Sequence, residues 1–542
     1  MRMKSKDVNG LRIYIADDGD TLTKIAKTMQ VDLKELLFLN PHITSPELHI
    51  AGGQVNLPTL ARPDADQDPS VVCPPEPDYR GHWIPVKPLA EMAETDYDVL
   101  VVGTGAGGGA VIWRLCEQLE KNDKRIGVIE AGDLVLPSHI FNLPTSGHAG
   151  NVWTNPNIWR NIGRFLPEFP NGNMIFALGG RTLYWGMVSL RMSPPELAGW
   201  PVTLKEMEIY YNIAERAMSV NQQFAKGSSL QEVLLTRLQD NGFPGVIDAP
   251  IAANLQPTAL GVIHSDVAFS SISFLGNALN HKPFDLGVKA RVAKVLTEQG
   301  QAVGVNVITP DKQTYSIRAK TIVLCASTFE TPRILLQSEI QGRAIGHYLT
   351  DHTFVRGVAT IDRNELPGTI GGLQIVIPYE EERPYGIHLW GPGGADPQAL
   401  EVYLHAYGDT MPRFENKVSL DPDHKDEYGI PRIQVKFSYS EYDQAIAAQA
   451  MEGVQLASSA MRTKLSSVEL LPPGSDAHYA GTCRMGNDPA TSVTNRYGQV
   501  HGLSGLYIAD NSVLPSIGGS NPTLTTIALA IRTADYIAQQ LM

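Results

Sequence analysis

The run Tyr97-Asp98-Val99-Leu100-Val101-Val102-Gly103-Thr104-Gly105-Ala106-Gly107-Gly108-Gly109-Ala110, followed downstream by Ile126-Gly127-Val128-Ile129-Glu130, decides the fold. The unbroken apolar stretch reads as a strand buried on both faces. The glycines end it, and apolar spacing through Leu119 predicts a helix. Taken alone, GxGxxG is weak. Placed after a strand and before a helix, with an acidic residue about 20 positions on, it is a strong dinucleotide signature. Gly103 permits the tight turn, Gly105 lets backbone approach a pyrophosphate, and Gly108 lets helix lie close on strand. The helix N-terminus attracts the phosphates, and Glu130 is expected to accept from ribose hydroxyls. The motif does not separate NAD from FAD.

Upstream, prolines crowd residues 59–95, at 63, 69, 74, 75, 77, 85 and 88. That density predicts an extended spacer or strap without regular helix or central strand. Before it, residues 10–58 read as strand, helix, helix, strand, in the order Ile13 and Ile15, Leu22/Ile25/Ala26, Leu33/Leu36/Leu37, and Val55 to Leu57. The stretch DGDTLTKIAKTMQVDLKELLFLNPHI, closed by GGQVNLP, resembles a LysM domain. The resemblance implies a βααβ module that binds N-acetylglucosamine glycans such as peptidoglycan or chitin.

Composition excludes several classes. A net charge of −13 and 19% charged residues argue against a nucleic-acid or anionic-membrane binder, which needs clustered Lys and Arg. Cys73, Cys116, Cys325 and Cys483 are scattered, so neither a disulfide framework nor a zinc site is signalled, and no metal ligands are expected. No window reaches the roughly 20 apolar residues of a membrane span, and no leader follows the first basic residues. A cytoplasmic location is the expectation.

A second glycine run, Ala177-Leu178-Gly179-Gly180-Arg181-Thr182-Leu183-Tyr184-Trp185-Gly186-Met187, favours flavin, because such a loop lets backbone press on a flat ligand. The C-terminal region adds His478-Tyr479-Ala480-Gly481-Thr482-Cys483-Arg484-Met485-Gly486, then Ala509-Asp510-Asn511-Ser512-Val513-Leu514-Pro515, then Asn521-Pro522-Thr523-Leu524-Thr525. Together these resemble the glucose-methanol-choline (GMC) family of FAD oxidoreductases, from about residue 96 to the end. The resemblance implies a discontinuous Rossmann-type FAD domain (96–187, 281–345, 473–542). It also implies an α+β substrate domain with an antiparallel sheet (188–280, 346–472). It further implies FAD contacts from Gly180, Thr182, Gly186, the Val292 backbone, Asp510, Asn521, Pro522 and Thr523. Tyr184 stands where covalently flavinylated members carry His, so FAD is expected to be non-covalent. The segment 326–338 departs from the family's second signature, lacking its Ser-Gly-x-Gly ending.

The chemistry follows from residue types. Flavin-linked alcohol oxidation needs a neutral base at the hydroxyl and a second group to orient it. His is suited to the first task, with an ordinary pKa of about 6.5. By resemblance, His478 is the base and Asn521 the orienter; the other reading of Asn521 is a helix cap. The last helix's N-terminus would also stabilise negative charge at the reduced flavin. His347, His352 and His501 read as structural, and Trp153, Trp159 and Trp390 as core or surface positions that can stack on a sugar. The substrate expected is a sugar or sugar-like polyol, with oxygen or another electron acceptor. Alternatives are a secondary-metabolite or aliphatic alcohol, a glycan-binding protein with a non-catalytic body, and an NAD dehydrogenase.

Overall fold

The structure is a computed structural model that describes residues 5–8, 11–57, 84–143, 155–162, 166–256, 267–394, 396 and 398–542. Trp153, Cys73 and residues 59–83 of the expected spacer lie outside these. The chain divides into two compact units, residues 1–79 and 80–542.

In the first unit, strand Leu11–Ile15 pairs antiparallel with Gln54–Leu57 and with an additional strand, Ser5–Val8, not expected from the sequence. Thr21 caps helix Leu22–Met29 and Asp32 caps helix Leu33–Leu39, each side-chain oxygen accepting from first-turn N–H groups. Leu22, Ile25, Leu36, Val55 and Leu57 form the core. The buried Asn40 amide donates to the carbonyls of Leu36 and Asn56 and accepts from the Asn56 N–H, each at 2.8 Å, tying the Leu-Asn-Pro turn to the last strand.

In the second unit, Tyr97–Val102 is central to a seven-stranded sheet. Asp285–Gly287, Ile126–Ile129, Tyr97–Val102, the end of Thr314–Leu324 and Leu506–Ile508 run parallel. Gln301–Ile308 and Arg291–Glu298 extend the sheet antiparallel. Helix Ala106–Gln118 follows the first glycine run as expected and packs on Ser271–Ala278 and Thr523–Leu541. A second, antiparallel sheet has the order Lys464–Leu470, Thr353–Asp362, Ala399–Gly408, Tyr385–Gly393, Leu373–Ile377, Ile247–Asp248. Its apolar face, with Val355, Ile375, Ile387, Leu389, Val402 and Leu404, is covered by helices Glu441–Ala460 and Ser229–Asp240.

Three expected boundaries differ. Within 84–95, Val86 bridges to Leu286, and Leu89–Ala93 is a helix with Met92 fully buried, so this end of the spacer belongs to the body. Pro88 sits at the helix cap, where no N–H is needed. The segment 188–280 is split: Leu204–Ala217 and Ser271–Ala278 bury Met207, Tyr211, Phe274 and Leu275 in the core of the parallel sheet. Strands Lys417–Lys425 and Pro431–Lys436 form a separate hairpin against helix Ser327–Gln337 instead of joining the substrate sheet. Periodicity shows that a face is buried without showing against what.

Candidate active site

A cavity of about 790 Å³ lies between the two sheets. At one end it is walled by Gly103, Gly105, Glu130, Gly180, Thr182, Gly186, Val292, Asp510, Asn521, Pro522 and Thr523. Gly108 stands behind this wall, where a Cβ would collide with the Gly103 carbonyl, as expected for close helix–strand packing. Gly103 has φ +95°. A Cβ on Gly107 would collide with the carbonyl of Ala509, so the C-terminal strand ends directly on this helix. Gly105 gives the helix no side-chain cap, leaving its leading N–H groups for an anion.

The two glycine loops are tied together, since Thr104 Oγ1 accepts from the Gly179 N–H at 3.0 Å and donates to Glu130 at 2.6 Å. Glu130 also accepts from the N–H groups of Thr104 (3.0 Å) and Gly132 (2.8 Å). Burial pushes its pKa up against those bonds, and a carboxylate retains lone pairs for a further donor. The Thr182 hydroxyl is used within the fold, donating to Gly179 at 2.6 Å and accepting from Ser271 at 2.8 Å. Asp510 likewise accepts from Ser327 (2.9 Å) and Thr331 (2.6 Å), joining the ends of two parallel strands. A glycine-lined cradle, an open helix N-terminus and a buried carboxylate in the same wall fit a dinucleotide such as FAD.

Against this wall, His478 and Asn521 meet, with Nε2 3.4 Å from the Asn521 amide nitrogen. Asn521 makes no cap bond to its helix, and Asn521 Oδ1 has no hydrogen-bond partner among the described residues. Capping is therefore not its role. The His478 Nδ1 side faces Asp476 Oδ2 at 3.4 Å and His352 Nδ1 at 3.3 Å. Burial holds the His478 pKa below its ordinary value, against the opposing charge of Asp476, so the ring is neutral and able to accept a proton. Tyr407 leans on it with ring centroids 5.1 Å apart. The ligand atoms of His352, Asp476 and His478 lie within 4.8 Å of one another. Nδ1 of His352 and Oδ2 of Asp476 are only 2.6 Å apart, a hydrogen-bond length. An ion bonded to both at about 2.1 Å would need an angle far below tetrahedral.

Residues 97–354 and 412–530 match GMC oxidoreductase, and residues 14–55 match the LysM domain. The chain belongs to the GMC oxidoreductase family. It is thereby an FAD-dependent enzyme acting on CH–OH donors, as an oxidase or dehydrogenase. It is 26% identical to 2-methyl-1,2-propanediol dehydrogenase of Mycolicibacterium austroafricanum, over 82% of this chain and 95% of that one. It is 29% identical to the C-glycoside 3-oxidase of Arthrobacter globiformis, over 69% and 76%. Pyridoxine 4-oxidase from Mesorbium loti shares the fold, with TM-score 0.60 and 17% identity over 81% of this chain and 99% of that one.

The site of this GMC oxidoreductase also contains residues that sequence reading passed over. Asp476 was not singled out, and His352, read as structural, touches both Asp476 and the His478 ring. The pattern Asp476-Ala477-His478 was the available signal, an acid two positions before the base. Gln374, His388, Trp390, His405 and Tyr407 line the cavity from the second sheet. Trp159 lines it too. His347 stacks on Phe414 and bonds its carbonyl, and His501 bonds Ser492; both lie outside this cavity's wall. No described helix is long and apolar enough to cross a membrane.

Proposed function

We propose that this enzyme oxidises an alcohol group of an uncharged sugar or sugar-like polyol. His478 Nε2 takes the hydroxyl proton, Asn521 orients the hydroxyl, and FAD is held without a covalent bond. FAD, when bound, supplies the hydride acceptor. The observation that carries the substrate reading is the sheet floor opposite His478. There Gln374, His388, Trp390, His405 and Tyr407 present amide, imidazole, indole and phenol groups and no carboxylate, ammonium or guanidinium. Burial pulls His388 down to about 3 and His405 to about 4, so both stay neutral. His388 Nε2 is 2.7 Å from Gln374 Oε1, which fixes one donor and leaves Nδ1 as acceptor. Neutral donors and acceptors beside a stacking surface suit a hydroxylated, uncharged ring.

Tyr184, in place of a flavinylating His, supports non-covalent FAD. The LysM unit is assigned to an N-acetylglucosamine-type glycan. An anaerobic screen of D-glucose, methyl and phenyl β-D-glucosides, glucosamine and 1,2-propanediol, read by flavin bleaching, tests the substrate. Bleaching by the neutral sugars is expected; bleaching by propanediol alone would move the reading to aliphatic alcohols. His478→Ala is expected to keep flavin and slow its reduction by roughly 10²- to 10⁴-fold, the range for a general base. An unchanged rate would remove His478 from the chemistry.

A further inference from the structure

Behind the base lies a buried polar cluster that alcohol oxidation by His478 and Asn521 does not itself require. The side chains of Asp476 and His352 are fully buried. Asp476 Oδ2 accepts from His352 Nδ1 at 2.6 Å and faces His478 Nδ1 at 3.4 Å, while Oδ1 accepts from the His478 backbone N–H at 3.2 Å. Asp351 adjoins Asp476, and its own carboxyl accepts from the Gly474 N–H at 2.6 Å. The Tyr439 hydroxyl donates to the His352 carbonyl at 2.8 Å. One carboxylate is thus gripped by two imidazoles and a neighbouring acid, at the Nδ1 edge of the His478 ring.

We propose that Asp476 is the positioning residue of the base. It holds His478 as the Nδ1–H tautomer with Nε2 turned to Asn521 and the cavity, and its charge stabilises the imidazolium formed in the reaction. His352 and Asp351 anchor Asp476. The step balances simply: the substrate O–H bond breaks, its electron pair stays on oxygen, and the proton forms an N–H bond at Nε2. The proton stays on the imidazole, with Asp476 ionised throughout. Burial raises the Asp476 pKa, but His478 and His352 outweigh it and hold the carboxyl well below the usual range. Burial and then the charge of Asp476 push Asp351 well above that range, so Asp351 is the protonated member.

Other titratable groups face this cluster. Arg181 comes from the second glycine loop, His388, His405 and Tyr407 from the sheet, and Asp409 from the end of strand Ala399–Gly408. Burial, then Asp476, keeps Tyr407 protonated, and His388 and His405 are neutral. Asp476 is the ionised carboxylate that the His478 ring touches.

The assignment rests on His478 as base, and its test separates the two. In ¹⁵N-histidine spectra of the holoenzyme, with His478 identified by its loss in His478→Gln, wild type should show a protonated Nδ1 and a bare Nε2. The opposite tautomer would overturn the proposal without any variant and without any substrate. In Asp476→Asn, flavin absorbance should persist and both tautomers should appear. Losing a tautomer-fixing Asp costs about 10⁴-fold in a serine protease. The 3.4 Å contact here is longer, and flavin reduction by phenyl β-D-glucoside is expected to slow roughly 10- to 100-fold. Asp476 raises the proton affinity of His478, so the rate's acid limb should move to lower pH in the variant, with Asp476→Glu partly restoring it. A slower rate with the limb unmoved would make Asp476 merely structural. Failure of every sugar would refute the substrate reading while leaving the tautomer result standing.

Discussion

Glu330→Gln should destabilise the FAD-binding core by about 3–5 kcal/mol, the cost of breaking a buried ion cluster by removing one partner. Glu330 accepts from Arg291 Nη2 at 3.0 Å and from Arg333 Nε at 3.0 Å, and Arg291 also pairs with Asp426. Arg333 is 1% exposed, so its guanidinium has no recourse to water. The charge balance, two guanidinium ions against two carboxylates, would become net positive in the interior. An independent magnitude agrees. Burial would raise the Glu330 pKa, but Arg291 and Arg333 dominate and hold it at about 2 against an ordinary 4.5. At about 1.36 kcal/mol per pH unit that is about 3 kcal/mol. Because the folded pKa is depressed, this stabilisation is full above pH 4.5 and is lost as pH falls toward 2. The variant should therefore lose stability near neutrality and show a flatter decline on acidification. Arg333 also donates to the Val292 carbonyl at 2.6 Å, so FAD affinity should weaken as the cavity wall at Val292 loosens. Urea unfolding followed by flavin fluorescence at pH 7 and pH 4 measures both effects. A loss below 1 kcal/mol at pH 7, with an unchanged pH dependence, would refute the reasoning.

Acid precipitation should release the flavin into the supernatant; flavin retained in the pellet would contradict the reading of Tyr184. Trp390, 36% exposed and stacked 4.4 Å from Tyr403, is the outermost aromatic of the floor. Trp390→Ala should raise KM for phenyl β-D-glucoside roughly 2- to 12-fold, the equivalent of 0.5–1.5 kcal/mol of ring stacking, with kcat nearly constant. Equal KM values for variant and wild type would remove Trp390 from substrate contact. Deleting residues 1–60 should abolish retention on chitin or peptidoglycan while leaving flavin reduction intact; equal retention would end the glycan assignment.

The cofactor half of the site was legible because its determinants are local. Gly103, Gly105, Gly108 and Glu130 sit within one strand–helix–strand unit, and backbone demands on glycine are written directly in sequence. Asn521 and His478 were found from short motifs carried by family resemblance, and the structure brings them together. The cluster around Asp476 was not legible, because His352 and Asp476 are separated by 124 positions and meet only when strand Thr353–Asp362 is in place. His388 and His405 became neighbours through antiparallel register, in which they are directly paired. Period-2 alternation placed side chains on a face, but no local pattern says which faces oppose. The same limit explains why the segment 188–280, expected in the substrate domain, is split, with helix Leu204–Ala217 in the parallel-sheet core.

What makes the site is the edge where the parallel strands end. Tyr97–Val102 runs into Gly103, Thr314–Leu324 into Cys325 and Ala326, and Leu506–Ile508 into Asp510, and register aligns Leu324 with both Val102 and Ile508. Three loops far apart in sequence therefore emerge side by side at the carboxyl end of the sheet, where open α/β folds bind ligands. Asp510 fastens two of them through Ser327 and Thr331. The antiparallel sheet contributes a floor of separate origin, whose polar side chains hang from strands fixed by the apolar core on the opposite face. The segment from Gly474 to Tyr479 touches both halves: Gly474 donates to Asp351 beside the second sheet, and Tyr479 accepts from Arg181 in the second glycine loop at 2.8 Å. His478 lies between those two anchors. Substitutions at Gln374, His388 or Trp390 should therefore change which alcohol binds while the base keeps its geometry, whereas a change at Asp476 alters the base and leaves those side chains as they were.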